Sequence, residues 1–337
     1  MKRCLIIRLG AIGDLLFITP VLPVLKADGY HITINCKNNG IDIFKNNPYV
    51  DSLMLHDTSI KLDDLPEHWE KISEGYDKVI NYSATVEQKY LVDWQNPAYY
   101  GDKSKRQTDV NFYDEMLRIA GYPDIKGRLP ELYFDKYEEQ WIKKQRKRYK
   151  GFIILWALSG SALHKVYPYT EDVAQYILKE YPDVWIITVG DSFCYALEWL
   201  HKRTVCRSGI DTIRDTLLRT KTADLVIGCE TGVLNAAGCW DVPKIILYSH
   251  TKHENLSLYF KNVYPIHPDV ECAPCYRMIQ FDEVTPDARC NPIESVGGAS
   301  VCMASIRPER VINAIESVIG NRMPGLPRFA EQNQRVY

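Results

Sequence analysis

Cys4-Leu5-Ile6-Ile7-Arg8-Leu9-Gly10-Ala11-Ile12-Gly13-Asp14 opens the chain with an apolar run, a glycine-rich turn and the start of a helix. The apolar run reads as a buried strand. Turns of this kind often cradle phosphate, because glycine lets the backbone approach an anion and the helix end supplies unpaired N–H groups. Here the carboxylate of Asp14 stands where the anion would sit. The Lys-Ser/Thr of a P-loop and the spacing of the dinucleotide fingerprint are both missing. The turn therefore suits a proton acceptor held at the end of a parallel strand, with Gly10 and Gly13 shaping the loop. Capping a helix is the other role open to an aspartate at this position.

Outward from this turn, strands and helices alternate. Leu15 to Lys26 is helical in character, and Thr19-Pro20 predicts a restart with Thr19 as N-cap and Pro20 at the first helical position. Residues 31–36, 50–55 and 77–82 read as strands with helical segments between them. After the charged segment 136–150 the alternation begins again. Strands are expected at 152–155, 184–189, 223–228 and 244–248, and helices at 169–180, 212–219 and 308–319. Such alternation implies parallel sheets with right-handed crossovers. The expected fold class is α/β, with two Rossmann-like domains of parallel sheet facing each other across a cleft. Ligands then lie beyond the carboxyl ends of the strands, where Asp14 falls. The expected boundaries are 1–145, 146–310, and 311–337 for a C-terminal helix with a loosely ordered tail.

The 337 residues are 46% hydrophobic and 25% charged, enough for two domains with separate cores. A formal net charge of -2 argues against a global nucleic-acid binder. The run Lys143-Lys144-Gln145-Arg146-Lys147-Arg148 reads first as a solvated helix face, with a patch for anionic acceptors or lipid headgroups as the second reading. Arg8 and Asp14 interrupt what would otherwise resemble a signal peptide, and no apolar segment approaches the length of a membrane span. A cytoplasmic protein is expected, with any membrane contact peripheral.

Two places in the second half are suited to phosphate. Ala157-Leu158-Ser159-Gly160-Ser161 leaves a strand and is followed by Lys165, a cation placed for a diphosphate oxygen. Gly228-Cys229-Glu230-Thr231-Gly232 joins a strand to a small-residue helix, which would put N–H groups and a hydroxyl at the helix start. Ordinary Ser/Thr caps are the alternative for each.

Taken together, Ile6 to Asp14, Thr19-Pro20, Asn47-Pro48-Tyr49-Val50-Asp51, Lys165-Val166-Tyr167-Pro168, Glu230-Thr231-Gly232 and Asp241-Val242-Pro243 resemble the motifs of glycosyltransferase family 9. This is the family of the ADP-heptose:lipopolysaccharide heptosyltransferases. The resemblance is collinear from about residue 4 to residue 319. It implies a GT-B architecture with the acceptor in the first domain, the nucleotide-sugar in the second and catalysis between them. It also implies inversion at the anomeric carbon with no metal required. Asp14 corresponds to the general base, and Lys165, Thr231 and Gly232 to the diphosphate-binding positions. Asp191 corresponds to an acidic residue near the ribose. The implied partners are a nucleotide-sugar donor, an ADP-sugar first, and a glycan or glycolipid acceptor. Two departures stand out: Glu230 and Asn235 replace the family's usual aspartate and histidine. Both fall where donor contacts are expected, and they motivate the alternative of a non-catalytic nucleotide-binding protein of the same fold. A dehydrogenase ranks third, since neither half carries a Gly-x-Gly-x-x-Gly with its acidic ribose ligand.

Cys272, Cys275, Cys290 and Cys302 crowd four of the ten cysteines into one stretch. Cys-x-x-Cys is a half-site for zinc, and two further thiolates would complete a tetrahedral structural site. Buried reduced thiols are the other reading.

Overall fold

The structure, a computed structural model, describes residues 1–83, 110–160, 162–276 and 299–322. The first half runs β1 (Lys2–Ile7), α1 (Ile12–Phe17), α2 (Leu22–Ala27), β2 (Tyr30–Cys36), α3 (Asn39–Phe44), β3 (Ser52–Leu55), α4 (Leu65–Ser73), β4 (Lys78–Asn81) and α5 (Phe112–Ile119). The second runs α6 (Lys136–Arg148), β5 (Phe152–Ala157), α7 (Thr170–Glu180), β6 (Val184–Val189), β7 (Thr204–Cys206), α8 (Ile213–Thr222), β8 (Leu225–Cys229) and α9 (Gly232–Ala237). It continues through β9 (Lys244–Leu247), α10 (His253–Leu256), β10 (Val263–Ile266), α11 (Val301–Ser305) and α12 (Pro308–Arg322).

Both sheets are parallel throughout. The first has the order β3-β2-β1-β4, and the second β7-β6-β5-β8-β9-β10. Strand order therefore reverses beside β1 in one domain and beside β5 in the other. These are the topological switch points, where crossovers leave the sheet in opposite directions and open a crevice at the carboxyl ends. The loops singled out in the sequence follow β1, β5 and β8, so all of them emerge at a switch point.

The central strands are buried on both faces, as helices on each side of a parallel sheet require. On β5, Ile153, Leu155 and Ala157 pack to one face, while Phe152, Ile154 and Trp156 pack to the other with α7 and α12. The former face belongs to an apolar cluster that runs on into the first domain through Leu234, Ala237, Phe17, Tyr113 and Phe260. The expectation of two separate cores is corrected accordingly: one core crosses the boundary. Polar contacts accompany it. Asn111 Nδ2 donates to the Glu254 carbonyl at 3.0 Å, Asn255 Nδ2 to the Val110 carbonyl at 2.9 Å, and the Tyr259 hydroxyl to Asp114 at 2.7 Å.

Other differences have local causes. A boundary at 145/146 falls inside α6, whose start is fixed by Asp135 accepting from the Tyr137 and Glu138 N–H groups. The exposed cations Lys143, Lys144, Lys147 and Arg148 lie on its outer face. Helix α12 begins at Pro308 and buries Val311, Ile315, Val318 and Ile319 in the second domain, so it is part of that domain; residues 323–337 lie outside the described residues. Thr19 does not cap a new α-helix. A 3-10 turn over Thr19–Val21 leads into α2, and the Thr19 hydroxyl donates to the Leu16 carbonyl at 2.8 Å and accepts from Glu131 N–H at 2.9 Å.

Candidate functional site

The turn after β1 needs its glycines. Gly10 has φ +153, and a Cβ there would lie 3.1 Å from Asn39 Nδ2. Ala11 caps α1 without a side-chain bond, and Asp14 reaches back so that its Oδ2 accepts from the Ala11 N–H at 2.6 Å. Its Oδ1 pairs with Arg8 Nη2 at 2.8 Å. Arg8 is buried, and its Nη1 donates to the Tyr82 carbonyl at 2.7 Å, just beyond β4. The guanidinium thus spans the β1/β4 switch point and sets the carboxylate's orientation, while Asp14 keeps 17% of its side chain exposed. Asp14 is thus not the N-cap of α1 but its N3 residue, which closes the first turn while leaving part of the carboxylate accessible.

In the second domain the loops after β5 and β8 interlock. Lys165 is buried, and its Nζ donates to the Glu230 carbonyl at 3.0 Å. Gly160 fits between them: a Cβ there would sit 2.8 Å from Lys165 Cδ and 3.0 Å from Thr231 Cγ2. Ser159 is buried beside it, and the Thr231 hydroxyl is a buried oxygen with no partner among the described residues. Ser161 lies outside the described residues. A buried cation next to an unpartnered hydroxyl is a chemistry matched to phosphate oxygens.

The two domains meet at these loops. A Cβ on Gly232 would lie 2.8 Å from Ile12 Cγ2 and 3.1 Å from the Gly13 nitrogen. A Cβ on Gly13 would lie 2.9 Å from Asn235 Nδ2. Asp14 and Thr231 each sit one residue from this contact, which places their Cα atoms within about 13 Å of one another.

The two departures from the resembled motif both make polar contacts within the protein. Asn235 is buried in the seam between domains, where its Oδ1 accepts from the Tyr113 hydroxyl at 3.4 Å. The Glu230 carboxylate turns to the loop after β9. Oε1 accepts from the Ser249 hydroxyl at 2.6 Å and from the Ser249 and His250 N–H groups at 3.2 Å each, and it lies 2.8 Å from His250 Nδ1. Oε2 accepts from the Ser249 N–H at 3.1 Å. Burial works to raise this carboxyl, but the His250 hydrogen bond and the charge of Lys165 outweigh it and hold it well below the usual range. His164 Nε2 lies 3.1 Å from His250 Nδ1. Burial lowers both imidazoles from their ordinary value; His250 and Lys165 add to the lowering of His164, and Lys165 to that of His250, while Glu230 works in the opposite direction on both.

Asp191 follows β6 at its carboxyl end and is exposed, with Oδ1 accepting from the Cys194 N–H at 3.1 Å. Of the four clustered cysteines, Cys272 is exposed, Cys302 is buried and Cys290 lies outside the described residues. No group of three or more His, Cys, Asp or Glu side chains among the described residues is placed to hold a metal, so Cys272, Cys275 and Cys302 do not converge. No helix among them is long and apolar enough to cross a membrane. Sequence reasoning missed Arg8, His164, Ser249 and His250. Each stands at or just after a strand's carboxyl end, or next to a residue singled out, which was the available signal.

No protein-family model matches the chain, nor does any curated protein sequence. Solved structures of the same fold do. A family 9 glycosyltransferase from Veillonella parvula superposes with a TM-score of 0.67 at 15% identity, over 95% of this chain and 98% of that one. The Escherichia coli ADP-heptose lipopolysaccharide heptosyltransferase II gives 0.62 at 13% identity, over 95% and 99%. The E. coli heptosyltransferase WaaC, solved with ADP-2-deoxy-2-fluoro heptose, gives 0.56 at 14% identity, over 94% and 99%. The fold is therefore that of the family 9 glycosyltransferases, as the sequence motifs led us to expect.

Proposed function

We propose that the chain is an inverting glycosyltransferase. It would move a sugar, heptose or a related one, from a nucleotide-diphosphate donor to a hydroxyl of a cell-surface glycan or lipopolysaccharide-type acceptor. The observation that carries this reading is the meeting of Gly13 with Gly232, which brings an oriented carboxylate to a buried Lys-Thr cradle. Asp14 takes the proton of the acceptor hydroxyl as its oxygen attacks the anomeric carbon from the first-domain side. The nucleotide leaves from the opposite face, which inverts that carbon. Lys165, the Thr231 hydroxyl and the backbone at Thr231 and Gly232 offset the charge developing on the diphosphate, so a divalent cation is not needed for that task. Ser159 and Gly160 line the same loop, and Asp191, exposed after β6, would meet the ribose. An ADP-sugar is favoured as donor, because one of the similar solved structures carries ADP-2-deoxy-2-fluoro heptose.

A second reading, a non-catalytic nucleotide-binding protein, draws on the engagement of Glu230 and Asn235 within the protein. Calorimetry with a panel of nucleoside diphosphates and nucleotide sugars, followed by product detection across glycan acceptors, separates the two. Binding with transfer is expected. Binding with no transfer across a broad acceptor panel favours the second reading, and no nucleotide binding at all sinks both.

A further inference from the structure

Glu230 belongs to the loop after β8, yet its carboxylate is bonded wholly to the loop after β9. Its own backbone carbonyl holds Lys165 Nζ, from the loop after β5. The loops after β5 and β9 are also joined directly, through His164 beside Lys165 and its contact with His250. The Ser300 hydroxyl anchors the His164 carbonyl at 2.8 Å. Next to Glu230, the Thr231 hydroxyl is buried with no partner among the described residues.

We infer that Glu230 is a positioning residue: it touches no ligand, and it locks the loops after β5, β8 and β9 so that Lys165 and Thr231 converge on a nucleoside diphosphate. The inference rests on reading the site as a diphosphate cradle. It assigns a purpose to the extra methylene of this glutamate. An aspartate would withdraw the carboxylate by about 1.5 Å, too far for bonds that now span 2.6–3.2 Å.

Reach and charge can be separated in the full-length chain. ADP binding is measured by calorimetry for wild type, Glu230→Asp and Glu230→Gln, with backbone hydrogen exchange followed at Lys165, Ser249 and His250. Glu230→Asp is expected to weaken ADP binding at least tenfold and to speed exchange at all three positions. Glu230→Gln, which keeps the length, is expected to stay within threefold of wild type. Equal affinity of Glu230→Asp and wild type would overturn the inference, as would a weaker Glu230→Gln than Glu230→Asp. Should Glu230→Asp fail to fold, Ser249→Ala removes the shortest of these bonds; a loss of at least threefold supports the inference, and unchanged binding overturns it. If the wild-type chain bound no ADP, the cradle reading would fail. The exchange data would still decide the loop lock: faster exchange in Glu230→Asp supports it, and unchanged exchange refutes it.

Discussion

Gly13 and Gly232 face each other across the domain boundary: a Cβ on Gly232 would lie 3.1 Å from the Gly13 nitrogen, and one on Gly13 would lie 3.7 Å from the Gly232 Cα. The contact joins the helix that carries Asp14 to the helix preceded by Thr231. A Cβ on Gly232 must displace Ile12 or the Gly13 backbone, and neither is the far end of a flexible side chain. Gly232→Ala should therefore cost roughly 1–3 kcal/mol by overpacking and lower Tm by about 2–6 °C. Calorimetric scanning measures the shift; an unchanged Tm would mean the seam is looser than described.

Asp14→Asn keeps the shape of the side chain and the acceptor for the Ala11 N–H, and it removes the base. Transfer should fall by about 10²-fold or more, while ADP affinity stays within threefold. Single-turnover kinetics at saturating donor provides the check. A rate within tenfold of wild type would exclude Asp14 as the base.

Lys165 is buried against the Glu230 carbonyl and has no carboxylate in contact through its Nζ among the described hydrogen bonds. Lys165→Met fills the same space without the charge. It should weaken ADP binding by about tenfold or more, on the scale of a hydrogen bond to a charged group. Adenosine binding should change little, and calorimetry with both ligands separates loss of the phosphate contact from general damage.

Arg214 and Glu138 form a two-pronged pair behind the seam, at 2.9 and 2.8 Å, and Arg214 also donates to the Asp42 and Tyr133 carbonyls. The Arg214 guanidinium, against opposition from burial and with help from Lys45 and the Asp135 N–H, pulls the Glu138 carboxyl from its ordinary value near 4.5 down to about 2. A depressed folded value means the stabilisation is complete above about pH 5 and disappears as pH falls toward 2. The amount is on the order of 2 kcal/mol. Urea titrations at pH 6 and pH 3 should show this loss for wild type and a smaller one for Arg214→Met.

Much of this was legible in sequence, because strands buried on both faces leave uninterrupted apolar runs. Phe152-Ile153-Ile154-Leu155 and Val184 to Val189 announce themselves in that way. The strands missed are edge strands: β7 has three half-buried residues, and β10 carries Pro265, which cannot donate to a ladder. Site positions at strand ends were legible for the same reason, since the loops after β1, β5 and β8 follow the clearest runs. The direction of a side chain was not. Glu230 and Asn235 sit in the expected loop and helix, but which neighbour each meets depends on the loop after β9 and on Tyr113, far away in sequence. Arg8 was hidden differently: a charge at the end of an apolar strand looks like an interruption until its partner across the sheet is known.

The apolar cluster shared by the two halves has a thermodynamic meaning. Phe17, Tyr113 and Phe260 form part of one layer with Leu234 and Ala237, so neither half can unfold without stripping cover from the other. Heating should give a single cooperative transition, and either half produced alone would present a bare apolar face and self-associate. Opening the halves like a book would mean wetting this shared core, which favours motion in the loops around the crevice over separation of the halves.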